Sequence, residues 1–440
     1  MHKQQDKYFH DMISDIKDGN CVAFIGAGFT APAIHTWSEV LEKLKGAPGL
    51  KTVNEQLSSL LKLTNGEAAS LFDREAAAEI IKHKLGDDFI AEIKKALPRN
   101  NPEGEEIVTR RLENLDRIPF ESRITTNFDG KIAGKTLNEA DFSSVLRLAP
   151  GGWADRMSWD LGKPKKIKTI MLHGNVTDIP ENKETIVFSR SGYRKLLFET
   201  PNYQSLIRTV FATKTVVFLG FSFSDAYLNL IRSEVISMLT KGSAKNITSY
   251  AIMNDLSPDK VNYLRDHEGI KAISYKSKKD GTDHSGFDDI LEGISNATNP
   301  EKIASRLLHG HKILWYDPQP ELVDVGVEIL RKYAAKGDDI VQESDLNKAI
   351  NRLETTNIDL FITHWGHNKF EHDGELEPAA RMIARHVRKN EIEVPILIFS
   401  DGEFAKENRR TALRFGAFDY VYTYEDLFRR IEDVFGPAVL

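Results

Sequence analysis

Apolar residues follow two rhythms along this chain. Short unbroken runs, each stopped by glycine or a polar residue, alternate with longer stretches in which apolar positions return every three or four residues. The first rhythm predicts buried parallel strands and the second amphipathic helices. Residues 3 to 18 carry Phe9, Ile13 and Ile16 at helical spacing and stop at Gly19. Strand-like runs follow at Val22 to Ile25, Ile124 to Thr126, Thr169 to Leu172, Thr215 to Leu219, Ser249 to Asn254 and Ala272 to Tyr275. From about 50 to 117 the pattern is helical throughout, which predicts a helical insertion. Thr185 to Ser189 reads as β-rich, Tyr193 to Thr200 as helix, and Ala226 to Leu239 as a helix capped by Asp225. Residues 142 to 168 are irregular, and their Lys-rich end reads as a solvated loop face. Ser295 to Arg306 reads as a polar connector.

From His311 the alternation becomes regular. Strands at 312–317, 339–341, 359–363, 394–400 and 419–422 are each followed by a helical pattern, at 321–335, 346–355, 378–388, 406–415 and 424–434. Five βα units of this length predict a doubly wound, flavodoxin-like sheet. The expected organisation is thus α/β in two domains: a Rossmann-like domain at 1–300, with its helical insertion, and a flavodoxin-like domain at 310–440.

Composition narrows the class. A hydrophobic share of 41% and a charged share of 28% over 440 residues suit globular domains with proper cores. The single cysteine, Cys21, excludes a disulfide framework and a Cys-x-x-Cys zinc site. No signal-peptide pattern and no membrane-length apolar run is present, so the expectation is a cytoplasmic protein without membrane association. Net charge is −6, which argues against direct nucleic-acid binding. The acidity lies in the C-terminal part, where residues 310 to 440 hold 17 Lys and Arg against 24 Asp and Glu.

The candidate chemistry sits where the apolar runs stop. Gly26-Ala27-Gly28-Phe29-Thr30 follows the first strand, and with Ala31 it completes a Gly-x-Gly-x-x-Ala spacing. Such a loop suits either a plain tight turn or close backbone approach to a phosphate, with a helix beginning near Thr30 aiming its positive end at the anion. No acidic residue follows about 20 positions later, so the ordinary dehydrogenase fingerprint is incomplete. Thr126, Asn127 and Asp129 end the second run, His173 another, and Gly220 and Ser222 a fourth.

Taken in order, these four strand ends resemble the sirtuin-like NAD-binding domain, and most closely its bacterial branch linked to phage defence. The resemblance covers residues 1 to 295 and includes Thr36 to Leu41 and Val187 to Tyr193. It implies cleavage of the nicotinamide–ribose bond of NAD, which is a substrate here. On this reading Gly26, Ala27, Gly28, Phe29 and Thr30 hold the pyrophosphate and its ribose. Asn127 and Asp129 lie by the nicotinamide ribose and carboxamide, Thr126 is a further cofactor-binding residue, His173 is the general base, and Gly220 and Ser222 face the adenosine. Two departures point to hydrolysis rather than protein deacylation: the four-cysteine zinc module is missing, so no zinc is expected, and Ala31-Pro32-Ala33-Ile34-His35-Thr36 replaces the usual continuation of the glycine loop.

The C-terminal segment resembles a response-regulator receiver domain, with a Toll/interleukin-receptor-like module as the alternative. Asp317 begins the acidic pocket, but Pro318 stands where a second acid belongs and His364 at the phosphoacceptor position. Ser400 matches the hydroxyl switch, while Thr423 replaces the lysine. The resemblance therefore implies a docking or gating module rather than a phosphorylated one. His364, His367 and His372 lack a strong metal-ligand spacing and read as loop residues, and no metal site is expected. The expected function is a triggered NAD hydrolase of antiphage defence, homo-oligomeric, with a partner protein or nucleotide as trigger. A non-enzymatic NAD or ADP-ribose sensor and a protein deacylase are the rival readings.

Overall fold

A computed structural model describes residues 2–62, 69–136, 168–177, 186–200, 203–223, 226–241, 249–279, 283–366, 369–372, 375–400, 402 and 405–436. Most of the irregular stretch at 142–168, together with Asp225 and His367, lies outside them. The described residues form two compact units, and the chain passes from the first to the second between Ser295 and Asn296.

The first unit is built on seven parallel strands: β1 (Cys21–Ile25), β2 (Ser122–Thr125), β3 (Lys135–Thr136), β4 (Lys168–Met171), β5 (Thr215–Leu219), β6 (Ser249–Asn254) and β7 (Ile270–Tyr275), in the order β3-β4-β2-β1-β5-β6-β7. β1 pairs with β2 on one side and β5 on the other, both parallel, with Val22 opposite Ser122 and Val216. β1 and β2 are buried along their whole length, which is why they read as unbroken runs rather than alternating ones. The chain leaves β1 toward β2 and β4, and returns to its other flank at β5. That reversal puts the switch point at the carboxyl ends of β1 and β5, where ligands gather in open α/β sheets.

The helical insertion forms its own core. Helices Trp37–Leu44, Asn54–Leu61, Leu71–Leu85 and Phe89–Ala96 bury Leu41, Leu57, Ala78, Ile81 and Ile93 against one another. Helix Pro102–Arg117 follows and leads into β2.

Three expectations from the sequence change here. No helix begins at Thr30: a single 3₁₀ turn spans Ala27–Phe29, and the next helix opens at Trp37 behind a Thr36 capping box. Pro32 explains this, because it removes a helical donor and biases Ala31 away from helix. Residues 186–189 form no strand, although Val187 donates to His173 O. The stretch read as a polar connector is helical, in Ser285–Thr298 and Pro300–Leu308, because Ser295 and Thr298 are polar yet buried.

The second unit is also parallel. β8 (Ile313–Tyr316), β9 (Ile340–Glu343), β10 (Leu360–Thr363), β13 (Ile396–Phe399) and β14 (Asp419–Val421) run in the order β14-β13-β10-β8-β9. This is the flavodoxin-like order, centred on β8 and β10. Ile313 and Trp315 enter one core with the helices Asp324–Tyr333 and Tyr424–Phe435, while Leu314 and Tyr316 enter the other. An antiparallel hairpin of β11 (Lys369–His372) and β12 (Glu375–Pro378) is an addition the sequence pattern does not suggest.

Candidate active site

The loop after β1 is shaped by backbone packing. Gly26 N–H donates to Leu219 O at 3.0 Å and Gly28 N–H to Gly220 O at 2.8 Å. A Cβ on Gly26 would stand 2.7 Å from Gly220 O, and one on Gly28 2.8 Å from the same atom. Gly220 itself has φ +61°, and its Cβ would collide with Phe29 N. These glycines let the ends of β1 and β5 interlock. Phe29 N–H bonds Gly26 O and Thr30 N–H bonds Ala27 O, so the amides of Gly26, Gly28, Phe29 and Thr30 are all engaged within the fold. The glycine spacing thus serves strand-end packing first, and a phosphate cradle made of these four amides does not fit. Ala27 and Gly28 remain exposed at the tip.

Behind that tip lies a polar network. Thr30 Oγ1 donates to Asp129 Oδ2 at 2.7 Å and accepts from Asn127 Nδ2 at 3.1 Å. Asn127 Nδ2 also donates to Gly26 O at 3.3 Å. A carbonyl can only accept, so the amide orientation is set by the network. Asn127 is 5% exposed, and its Oδ1 is buried with no hydrogen-bond partner among the described residues. A buried acceptor left open in this way is costly unless something completes it. Burial raises the Asp129 carboxyl above its usual range, outweighing hydrogen bonds from Lys131 N–H and Thr30 and the nearby Lys131 charge. Lys131 places its own ammonium on Glu105, at 2.6 Å.

His173 arrives by sheet register. Thr125 faces Met171 across β2 and β4, so Asn127 and His173 each lie two residues past that pair. Leu172 N–H to Thr125 O, at 2.8 Å, continues the pairing past the strand ends. The His173 ring is 5% exposed and meets Tyr193 edge-on at 5.1 Å, and Tyr193 stacks on Tyr227 at 4.9 Å. Thr126 N–H bonds Ile25 O, tying the β2 end to β1. Ser222 is exposed beyond Gly220. Gly26, Thr30, Asn127 and Asp129 are thus joined directly, Gly28 and Gly220 through the backbone, and His173 through adjacent strands.

One residue of this region escapes a sequence reading. Arg111, on helix Pro102–Arg117 and 3% exposed, donates to Gly28 O and Phe29 O. The available signal is a lone arginine on a buried stripe, since Gly104, Val108, Arg111 and Leu115 share the inner face.

In the second unit Asp317 is buried and accepts from Gln319 N–H. His364 Nδ1 accepts from Gly366 N–H, Ser400 is nearly buried, and Thr423 caps the last helix through Asp426 N–H. No group of three or more His, Cys, Asp or Glu is placed to hold a metal among the described residues. No described helix is long and apolar enough to cross a membrane.

A family model described as a SIR2-like domain matches residues 121–273, from β2 into β7. That span holds Thr126, Asn127, Asp129, His173, Gly220 and Ser222. Three curated relatives are each named NAD(+) hydrolase ThsA. The protein from Cytobacillus dafuensis is 21% identical over 281 residues, covering 63% of this chain and 50% of its own length. Those from Enterococcus faecium and Bacillus cereus (strain MSX-D12) are 25% identical over 260 residues and 23% over 232. They cover 55% and 52% of this chain, and 44% and 43% of their own lengths. The chain spans about half the length of the curated relatives it matches.

Proposed function

We propose that this protein is an NAD glycohydrolase, cleaving NAD+ to nicotinamide and ADP-ribose. The observation that carries the reading is the open, buried Oδ1 of Asn127, held beside Asp129 and Thr30 at the carboxyl end of β2 and, like His173, two residues past the Thr125–Met171 pair. The SIR2-like match over the same strand ends, and the printed name of the three relatives, support it.

The residue types suit the reaction. The N-glycosidic bond breaks as nicotinamide leaves neutral, and positive charge develops on the ribose. The Asp129 carboxylate, whose charge burial disfavours in the resting site, offsets that positive charge where it forms. Asn127 Oδ1 accepts a hydrogen bond from the attacking water or from a ribose hydroxyl and orients it. Neutral His173 takes the proton, directly from a ribose hydroxyl or through it from water. The water oxygen becomes the new anomeric hydroxyl of ADP-ribose, which balances the step without a further co-reactant. The Gly26–Thr30 loop, Thr126, Gly220 and Ser222 form the dinucleotide-binding rim, with the loop's contact made by its exposed tip, Ala27 and Gly28, rather than by its engaged amides or the buried Phe29 and Thr30 side chains.

We further infer a triggered role in bacterial antiphage defence, in the cytoplasm and as a homo-oligomer, with the receiver-like second unit as the gating module. A partner protein or a nucleotide would supply the trigger. Unchecked NAD hydrolysis would drain its own cell, which is the physical reason for a gate.

Chromatography of products after incubation with NAD, with and without candidate triggers, tests the reading. Equal release of nicotinamide and ADP-ribose is expected. His173→Ala and Asn127→Ala should lower turnover by orders of magnitude while NAD affinity stays within a modest factor. NAD binding without product under every condition would leave a sensor instead, and nicotinamide release only with an acylated peptide would leave a deacylase.

A further inference from the structure

Arg111 reaches the glycine loop from behind. Its Nη1 donates to Phe29 O at 2.8 Å and to Gly28 O at 3.2 Å. Nε and Nη2 bond both oxygens of Asp288, at 2.5 and 3.2 Å, on helix Ser285–Thr298. The guanidinium also lies over the Phe287 ring, 4.8 Å from its centroid, and Phe287 meets Phe29 edge-on at 6.1 Å. Three segments far apart in sequence converge on one buried cation.

Resting on the hydrolase reading, we propose that Arg111 is a positioning residue for catalysis, with Asp288 fixing its fork. The relay is covalent geometry. The Phe29 carbonyl and the Thr30 amide belong to one planar peptide unit, so holding that carbonyl holds the entry to Thr30. Thr30 Oγ1 in turn bridges Asn127 Nδ2 and Asp129 Oδ2. A shift of the loop therefore reaches both candidate catalytic side chains in two steps. The last carbonyls of the 3₁₀ turn lack intrahelical partners, and a planar guanidinium satisfies two of them while a carboxylate holds its other edge. Stability alone does not account for the arrangement, because a buried ion pair is commonly no better than an apolar replacement. Fixing where the loop stands does account for it.

The test compares two buried arginines of the same unit. Arg123 is 7% exposed and bonds Asp116 and Leu115 O, away from the loop. Arg111→Lys keeps the charge but not the fork, and kcat/KM for NAD should fall at least tenfold. Arg123→Lys should stay within twofold for a similar loss of thermal midpoint. Equal effects in the two variants, or Arg111→Lys within twofold of wild type, would overturn the proposal. Should Arg111→Lys not fold, Asp288→Asn takes its place, with a loss of threefold or more expected and none overturning it. Hydrogen exchange at the Phe29 and Thr30 amides gives a readout without turnover, and should quicken in Arg111→Lys but not in Arg123→Lys. If wild type releases no nicotinamide with or without candidate triggers, the hydrolase reading fails by itself, and unchanged exchange would then end the positioning proposal separately.

Discussion

The Thr30 hydroxyl donates to Asp129 across 99 residues of sequence, at 2.7 Å, and accepts from Asn127 at 3.1 Å. One side chain thereby joins the end of β1 to the end of β2. Thr30 is 1% exposed, so solvent cannot replace the hydroxyl. Thr30→Val keeps the shape but leaves a half-buried carboxylate oxygen without its donor. The expected cost is about 1–3 kcal/mol, measured by urea unfolding, with turnover of NAD down tenfold or more. Thr30→Ser should retain both. A Val variant as stable and active as wild type would remove the bridge from the account.

Asp129 gives a pH-dependent prediction. Burial raises its folded-state pKa above the unfolded value. Between the two values the folded state binds more protons, so stability falls as pH rises through that window. Above it the ionised carboxylate is a standing cost. Asp129→Asn retains an acceptor for Thr30 and Lys131 N–H without the charge. Its thermal midpoint should exceed that of wild type at pH 7, and the gap should close as pH falls below the unfolded carboxylate value. Turnover should drop about a hundredfold, because the charge that strains the resting fold is the one the transition state uses. A variant less stable than wild type at pH 7 would reverse the argument.

The glycines separate local from tertiary demands. Gly220→Ala meets both a left-handed backbone and Phe29 N, and should cost on the order of 3 kcal/mol or more. A Cβ on Gly337 would meet no atom within 4 Å, and the backbone there is not left-handed. Gly337→Ala should be neutral or stabilising by about 0.4–1 kcal/mol. Matched chemical denaturation of the two variants checks the contrast, and similar midpoints would mean that the β1–β5 interlock is looser than its geometry.

These cases show what can be read before folding. β1, β5 and β8 are legible because strands buried on both faces leave continuous apolar runs. The positions of Asn127, Asp129 and His173 at strand ends are legible for the same reason: each run stops there. The role of Gly26 and Gly28 is not, since only the folded chain brings Gly220 against them. Arg111 is hidden because its carboxylate partner, Asp288, is 177 residues away. The helices at 285–308 escape the pattern because Ser295, Thr298 and Asn299 are buried despite their polarity. The helix expected at Thr30 comes from weighing the glycine spacing above Pro32.

Glu39 links acid stability to the site wall. Burial opposes its charge, but hydrogen bonds from Arg99 and from the Thr36 amide and hydroxyl prevail and hold its pKa at about 2. It closes the capping box of helix Trp37–Leu44. Trp37 Nε1 on that helix donates to Phe188 O, and the Phe188 ring meets Phe128, between Asn127 and Asp129, at 6.1 Å. A folded pKa below the unfolded one contributes stability that is present above the unfolded value and lost as pH falls toward 2. Glu39→Gln should therefore lower the thermal midpoint at pH 7, and its difference from wild type should shrink steadily between about pH 4.5 and pH 2. Because the cap supports the wall behind Phe128, the same variant should also lower turnover several-fold at pH 7, and Arg99→Gln should reproduce both effects. A difference that stays constant into acid would mean that the carboxylate charge contributes nothing to this cap.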